Sequence, residues 1–206
     1  MSESDALGYA MQFVPALFGA LLIFPIYFIG KLLFGKKAGL VAALLIALIP
    51  IHLSSGHGSA YALFDHDSLN LLLYFITFLF LIKSIKEKDT FRRILYALFT
   101  GIPLAALSMV WVEAQFLYTL ITVYAIVQLL FDLFTNKVEE QFVMSIALAL
   151  FTGFLVSWPV TYAGGVALDL PFYLALGVAV FGGICILFKR KQIPWIVSYP
   201  LIAGIA

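Results

Sequence analysis

The sequence predicts an all-α membrane protein, a polytopic helical bundle of about eight transmembrane segments with the last one truncated. Three observations carry that assignment. The mean hydropathy is +1.08, and 64% of the 206 residues are apolar against 11% charged, with 20 Phe and 10 Tyr; soluble domains do not reach this balance. The apolar runs approach the length of about 20 residues that a helix needs to cross a hydrocarbon core about 30 Å thick. The Lys and Arg residues, 12 in all, gather in every second connection between those runs. Helices are the open-chain solution, because backbone amides in lipid must be satisfied within their own segment.

In order, the first segment runs over roughly 11–33 and meets a basic turn, "GKKAG" at 35–39. The second covers 38–55, and the third, 68–84, follows the polar stretch "YALFDHDSLN" at 61–70. The fourth, 94–110, and the fifth, 114–133, are nearly continuous, broken only by "WVEA" at 111–114. Pro103, after Gly101, predicts a kink in the fourth segment rather than its end. The sixth spans 141–160, after which Trp158 and Pro159 are expected to begin an external loop containing "YAGG". The seventh is 171–188, and an eighth starts near 193 and is cut by the C-terminus. There is no sequence repeat, long linker or low-complexity stretch, so 1–206 reads as a single membrane domain.

Composition also bounds function. The net charge of +1 gives no indication of nucleic acid as a partner. Cys185, the single cysteine, lies in an apolar run, cannot form an intrachain disulfide, and reads as a small buried or lipid-facing hydrophobe. Residues 1–10 are polar and acidic without a basic n-region, which argues against a cleavable signal peptide.

The basic connections contain Lys36 and Lys37, Lys83 to Arg93, Lys137, and Lys189 to Lys191, with Lys31 near the end of the first segment. By the positive-inside rule these are cytoplasmic. The opposite, external face then carries His52, His57, Asp65, His66, Asp67, Glu113 and Asp169. A chain that starts outside and stops partway through a span is expected to be a piece of a longer protein; the alternative is an unusual but complete small one.

Asp65 and Asp67, two apart ahead of a helix, can converge on one hard divalent cation. Mg²⁺ and Mn²⁺ take oxygen ligands and often bind carboxylates together with substrate phosphate oxygens. Such a cation would neutralise charge on a leaving phosphate. The competing explanation is structural: Asp67 or Ser68 caps the third helix, Asp65 is solvated in the loop, and His66 is interfacial. Residue chemistry leaves both open. His57, in "SSGHGSA", can reach the same site or be a hydrated loop histidine, and His52 is a weaker candidate. Glu113 beside Trp111 fits an aromatic-belt turn, Trp158 an interfacial anchor, and Asp169 a cap for the seventh segment.

The run "FVPALFGALLIFPIYFIGKLLFGKKAGLVAALLIALIPIHLSSGHGSAYALFDHDSLNLLLYFITF" resembles the catalytic subunit of oligosaccharyltransferase, in particular its archaeal type. It combines the family's helical pair, the "GKKAG" turn and an acidic motif at the head of the next helix. The resemblance implies a C-type glycosyltransferase, multi-pass in the cell membrane. Such an enzyme transfers an oligosaccharide from a dolichol-linked phosphate or pyrophosphate donor to Asn of Asn-X-Ser/Thr sequons, on the external face, with Mn²⁺ or Mg²⁺. Asp65 and Asp67 match the two acidic-motif positions that help bind the metal. His66 is the intervening residue, which the family does not require as a ligand; His66 and His57 remain donor-phosphate contacts or supports behind the metal ligands.

The departures are specific. Nothing before residue 10 corresponds to the family's first helix and first external loop, which carries a catalytic aspartate. The later loop with a catalytic glutamate and the C-terminal soluble domain with its WWDYG motif have no counterpart either, so no catalytic residue is assigned. Where the family often has an Arg-containing "SR(S/T)..G" stretch, this chain reads "SSGHGSAYALF". The expectation is a fragment holding half of a metal site and inactive alone. Two alternatives stand beside it: another C-type glycosyltransferase using a lipid-phosphate sugar, and a non-enzymatic transporter or structural membrane subunit.

Overall fold

A computed structural model describes residues 3–49, 67–111, 114–165 and 169–205. Among the described residues there are eight helices and no strand: α1 (Glu3–Phe34), α2 (Lys36–Leu48), α3 (Asp67–Lys86), α4 (Thr90–Val110), α5 (Gln115–Phe134), α6 (Glu140–Ala163), α7 (Asp169–Arg190) and α8 (Trp195–Ile205). Six of these are long and apolar enough to cross a membrane; the qualifying parts are Met11–Phe34 of α1, Leu170–Arg190 of α7, and all of α3, α4, α5 and α6. Helix α2 has 13 residues and α8 has 11. At about 1.5 Å per residue, neither covers more than about 20 Å of a core about 30 Å thick. The second predicted segment continued to residue 55, and 50–66 lie outside the described residues. Large apolar side chains such as Phe13, Phe24, Leu44, Phe116, Val127 and Leu155 are exposed. On a soluble protein so many would mark sticky patches; against lipid tails they are the solvated surface.

The chain divides into two compact units, Met1–Ile82 and Lys83–Ala206. In the first, α1 and α2 form a tight hairpin around one connecting residue, Gly35, whose φ of 92° suits glycine. Its N–H donates to the Lys31 carbonyl at 3.1 Å, and the Gly39 N–H donates back to the Gly35 carbonyl at 3.1 Å. The arms touch through Gly30 and Gly39. A Cβ on Gly39 would lie 2.6 Å from the Tyr27 carbonyl oxygen and 3.0 Å from the Lys31 nitrogen, closer than side-chain carbons tolerate. Farther along, Leu22 and Ile26 of α1 bury against Leu72 of α3, flanked by Phe18, Ala42, Ile46 and Phe75.

In the second unit α4 packs along α6, α6 along α7, and α5 against both α6 and α7. Small residues again mark the crossings, as expected where lipid gives helices little hydrophobic reason to associate and close backbone approach supplies the attraction. Gly101 faces Thr152 and Ala149, Gly153 faces Tyr118 and Leu104, and Gly182 faces Val143. Cys185 is buried here, as the sequence allowed. Helix α4 continues through Pro103 to Val110, in keeping with a proline that does not end the segment. The loop expected from Trp158 and Pro159 begins later: α6 runs through Pro159 to Ala163 and closes at Gly164. A proline removes one backbone hydrogen bond, whereas unwinding the turn would strand several in lipid.

The chain ends of this unit differ in chemistry. At one, Arg93 is buried and committed: its Nε donates to the Glu87 carbonyl at 2.8 Å, and its terminal nitrogens donate to the same carbonyl and to Gln141 Oε1. Lys189 Nζ donates to the Val138 carbonyl at 2.7 Å, and Arg190 reaches Glu140 Oε1 at 2.6 Å. These bonds gather the basic connections of α3–α4, α5–α6 and α7–α8 at one end, as strict up-and-down alternation requires. Asp89 caps α4 there, its carboxylate accepting from the Arg92 N–H at 2.9 Å. At the other ends of α6 and α7, Phe154, Trp158, Tyr162, Phe172 and Tyr173 form a chain of ring contacts between 5.3 and 6.4 Å. Trp195 stacks near Phe134 and Tyr199 beside the basic end. Aromatic girdles at both ends are the usual signature of membrane interfaces.

Two outcomes follow from this packing. Gly39→Val should destabilise the protein by about 1–3 kcal/mol through overpacking, seen as a lower midpoint of thermal unfolding in detergent. Gly177→Ala is the control, since a Cβ there meets nothing within 4 Å; equal loss in both variants would refute the close crossing. Arg93→Met should cost about 1–3 kcal/mol by removing the hydrogen bonds that tie the start of α4 to Glu87 and Gln141, while Arg190→Ala, an exposed pair, should cost under about 1 kcal/mol. Equal unfolding midpoints for the two would overturn the role assigned to Arg93.

Candidate functional site

The acidic stretch meets the described structure at its last residue. Helix α3 opens at Asp67, placing one carboxylate in the first turn, where free backbone N–H groups and the helix dipole favour negative charge. Asp65, His66 and His57 lie outside the described residues, as do His52 and Glu113. Asp169 is the first residue of α7, a position consistent with the expected cap, and its side chain lies outside the described set.

The turn that follows Asp67 holds two residues that sequence reasoning did not single out as functional partners of the aspartates. Ser68 is 1% exposed and Asn70 is 4% exposed. Among the described residues, the Ser68 hydroxyl and both polar atoms of the Asn70 amide have no hydrogen-bond partner. That is unusual within this molecule. Five other buried hydroxyls in the helices bond to the carbonyl one turn back, Thr77 to Leu73 at 2.8 Å, Thr100 to Tyr96 at 2.8 Å, Ser108 to Leu104 at 3.0 Å, Ser145 to Gln141 at 2.9 Å and Ser157 to Gly153 at 2.8 Å, and Ser84 donates to the Arg93 carbonyl at 3.1 Å. Thr122 is also unpartnered, but it sits inside α5 with the Tyr118 carbonyl one turn behind it, within reach of a rotamer change.

Asp67 and Asn70 are three apart and so share one face of α3. Together with Ser68 they present only oxygen and amide groups, the donor set that suits Mg²⁺ or Mn²⁺ and phosphate rather than a soft metal. The fit is chemically sound and partial: among the described residues no three His, Cys, Asp or Glu side chains come together as a metal site.

The second unit contains a cleft of about 580 Å³ lined by Ile85, Lys86, Lys88, Arg93, Glu139, Glu140 and Gln141. Charges of both signs line it, and the Arg93 guanidinium is already spent on Glu87 and Gln141. Its chemistry is that of a structural joint at the basic end.

Comparison with known proteins gives one family. The family described as Oligosaccharyl transferase STT3, N-terminal, matches residues 7–203. No curated protein sequence matches the chain at a significant level. The family match takes in both units, the glycine-hinged α1–α2 hairpin and the acidic head of α3. A multi-pass helical chain matched over that length belongs to the STT3 family of oligosaccharyltransferases.

Proposed function

We propose that this chain forms part of the catalytic subunit that transfers a glycan from a dolichol-linked phosphate or pyrophosphate donor to the amide nitrogen of Asn in Asn-X-Ser/Thr sequons. The observation that carries the proposal is the family match across residues 7–203, which includes the acidic head of α3. Between residues 38 and 82 the sequence contains no Lys or Arg. The head of α3 therefore suits a cation better than it suits a bare phosphate.

In this reading the Asp65 and Asp67 carboxylates hold Mn²⁺ or Mg²⁺, and His66 and His57 are available to the donor phosphate or behind the ligands. A divalent cation supplies charge neutralisation for the departing phosphate. The chain's own contribution is to place the Asp67 carboxylate in the first turn of α3, where the N–H groups of that turn add positive potential toward the same phosphate. In the transfer, the bond from the sugar anomeric carbon to the donor oxygen breaks and a bond to the sequon nitrogen forms; the amide loses a proton and the lipid phosphate leaves. The head of α3 lies outside the cell and the Lys and Arg connections lie in the cytoplasm, which the positive-inside rule supports. In this reading the 206 residues alone do not complete the reaction, because the matched family segment is its N-terminal one.

Glycan transfer to a sequon peptide, measured with lipid-linked oligosaccharide and titrated Mn²⁺, tests this. In the complete protein Asp67→Ala should lower turnover by about 10²–10³ and flatten the Mn²⁺ response. Unchanged turnover and an unchanged titration would remove Asp67 from the site. Turnover by the 206-residue chain alone would overturn the dependence on further segments.

A further inference from the structure

We infer that Asn70 is a further binding residue of this site: its buried amide, one turn inside the head of α3 on the face of Asp67, donates to a phosphate-ester oxygen of the lipid-linked donor. The inference rests on the donor-binding reading above and adds a residue to it.

Asn70 is 4% exposed, and neither its Nδ2 nor its Oδ1 has a partner. A buried amide left unpaired is strongly disfavoured, so its position implies a polar partner in the working state. Its site of action follows from helix geometry. Three residues past Asp67 on the same face, it lies about 4.5 Å deeper along the axis. A headgroup engaging the Asp67 carboxylate through a cation would thus have Asn70 beneath it.

The kind of ligand follows from charge. With no Lys or Arg between residues 38 and 82, this stretch offers a phosphate bound at the end of α3 only neutral donors and whatever cation its carboxylates hold. The Asn70 N–H₂, the Ser68 hydroxyl and the first backbone N–H groups of α3 are such donors. The second unpartnered group, Ser68 Oγ in the same turn, makes the vacancy in hydrogen bonding a property of the turn rather than of one side chain. A neutral amide also suits a monoester or diester that must leave after reaction, since it holds the oxygen without adding a full charge.

The experiment uses the complete protein that carries this chain, in nanodiscs, with sugar-free polyprenyl phosphate as probe and Mn²⁺ measured separately. Asn70→Leu, close in shape but unable to hydrogen-bond, should weaken polyprenyl phosphate binding about tenfold and leave Mn²⁺ affinity without lipid unchanged. Asn70→Asp, which keeps shape and polarity if the leucine variant fails to fold, should weaken the lipid phosphate further and tighten Mn²⁺. Wild-type binding of polyprenyl phosphate by the Asn70→Asp variant, or by a folded Asn70→Leu, overturns the inference and makes Asn70 a partner of the protein's own groups. Equal competition by phosphatidic acid or inorganic phosphate overturns the assignment to the lipid-linked donor. Asp67→Ala separates the two levels. If it weakens Mn²⁺ while the Asn70 variants bind as wild type, only this inference fails; if it changes neither ligand, the underlying reading fails too.

Discussion

Hydrocarbon offers no hydrogen bonds, and this single constraint organises what is seen in the chain. It makes every described element a helix, since a helix satisfies its backbone internally. It explains why α1, α4 and α6 accept internal prolines: one lost bond costs less in lipid than an unwound turn. It also accounts for the hydroxyls. Thr77, Thr100, Ser108, Ser145 and Ser157 all turn back to the carbonyl four residues before them, the one acceptor a membrane helix always supplies. Arg93 obeys the same rule at greater cost, spending its donors on Glu87 and Gln141.

Packing between the helices follows from the same solvent. Lipid tails are as apolar as Leu, so burying Leu against Leu gains little, and contact must come from close fit. Hence the glycines at Gly39, Gly101, Gly153 and Gly182 stand where a neighbouring helix comes nearest. The α1–α2 hairpin is the extreme case: Gly35 turns the chain in one residue, and Gly30 and Gly39 let the arms meet. The basic "GKKAG" turn is therefore two things at once. Its lysines are a topological signal, and its glycines are the geometry of the hairpin.

Much of this was legible in the sequence, and what was not has physical causes. Long apolar runs bounded by charge identified α3 to α7 because length and charge are one-dimensional properties. The shortness of α2 was not legible: 38–55 is apolar enough to read as a span, and nothing in hydropathy marks the end of its helix at Leu48. The extension of α6 past Pro159 was missed because proline reads as a breaker in water, where unwound amides find partners. The glycine crossings were invisible because they depend on which helices meet. At the head of α3, Asp67 was conspicuous in the sequence by its charge and by the resemblance of its motif, and its metal role is part of the proposal. Asn70 was not, because a single Asn in an apolar run has no periodic or motif signal; only burial without a partner sets it apart.

That contrast bears on how a membrane helix can carry function at all. A hydroxyl inside a span is neutralised by its own helix and so is chemically quiet. The first turn is different: its N–H groups have no acceptor four residues back inside the helix, so side chains and ligands can answer them. In α3 that turn contains Asp67, Ser68 and Asn70 in four consecutive positions, on a stretch of chain free of Lys and Arg from 38 to 82. Basic side chains would compete for the carboxylate and satisfy it internally, as Arg190 does for Glu140. Under the proposed function, a bound cation together with a phosphate ester would answer that turn, the cation beside the carboxylate and the ester oxygen beside the amide and hydroxyl.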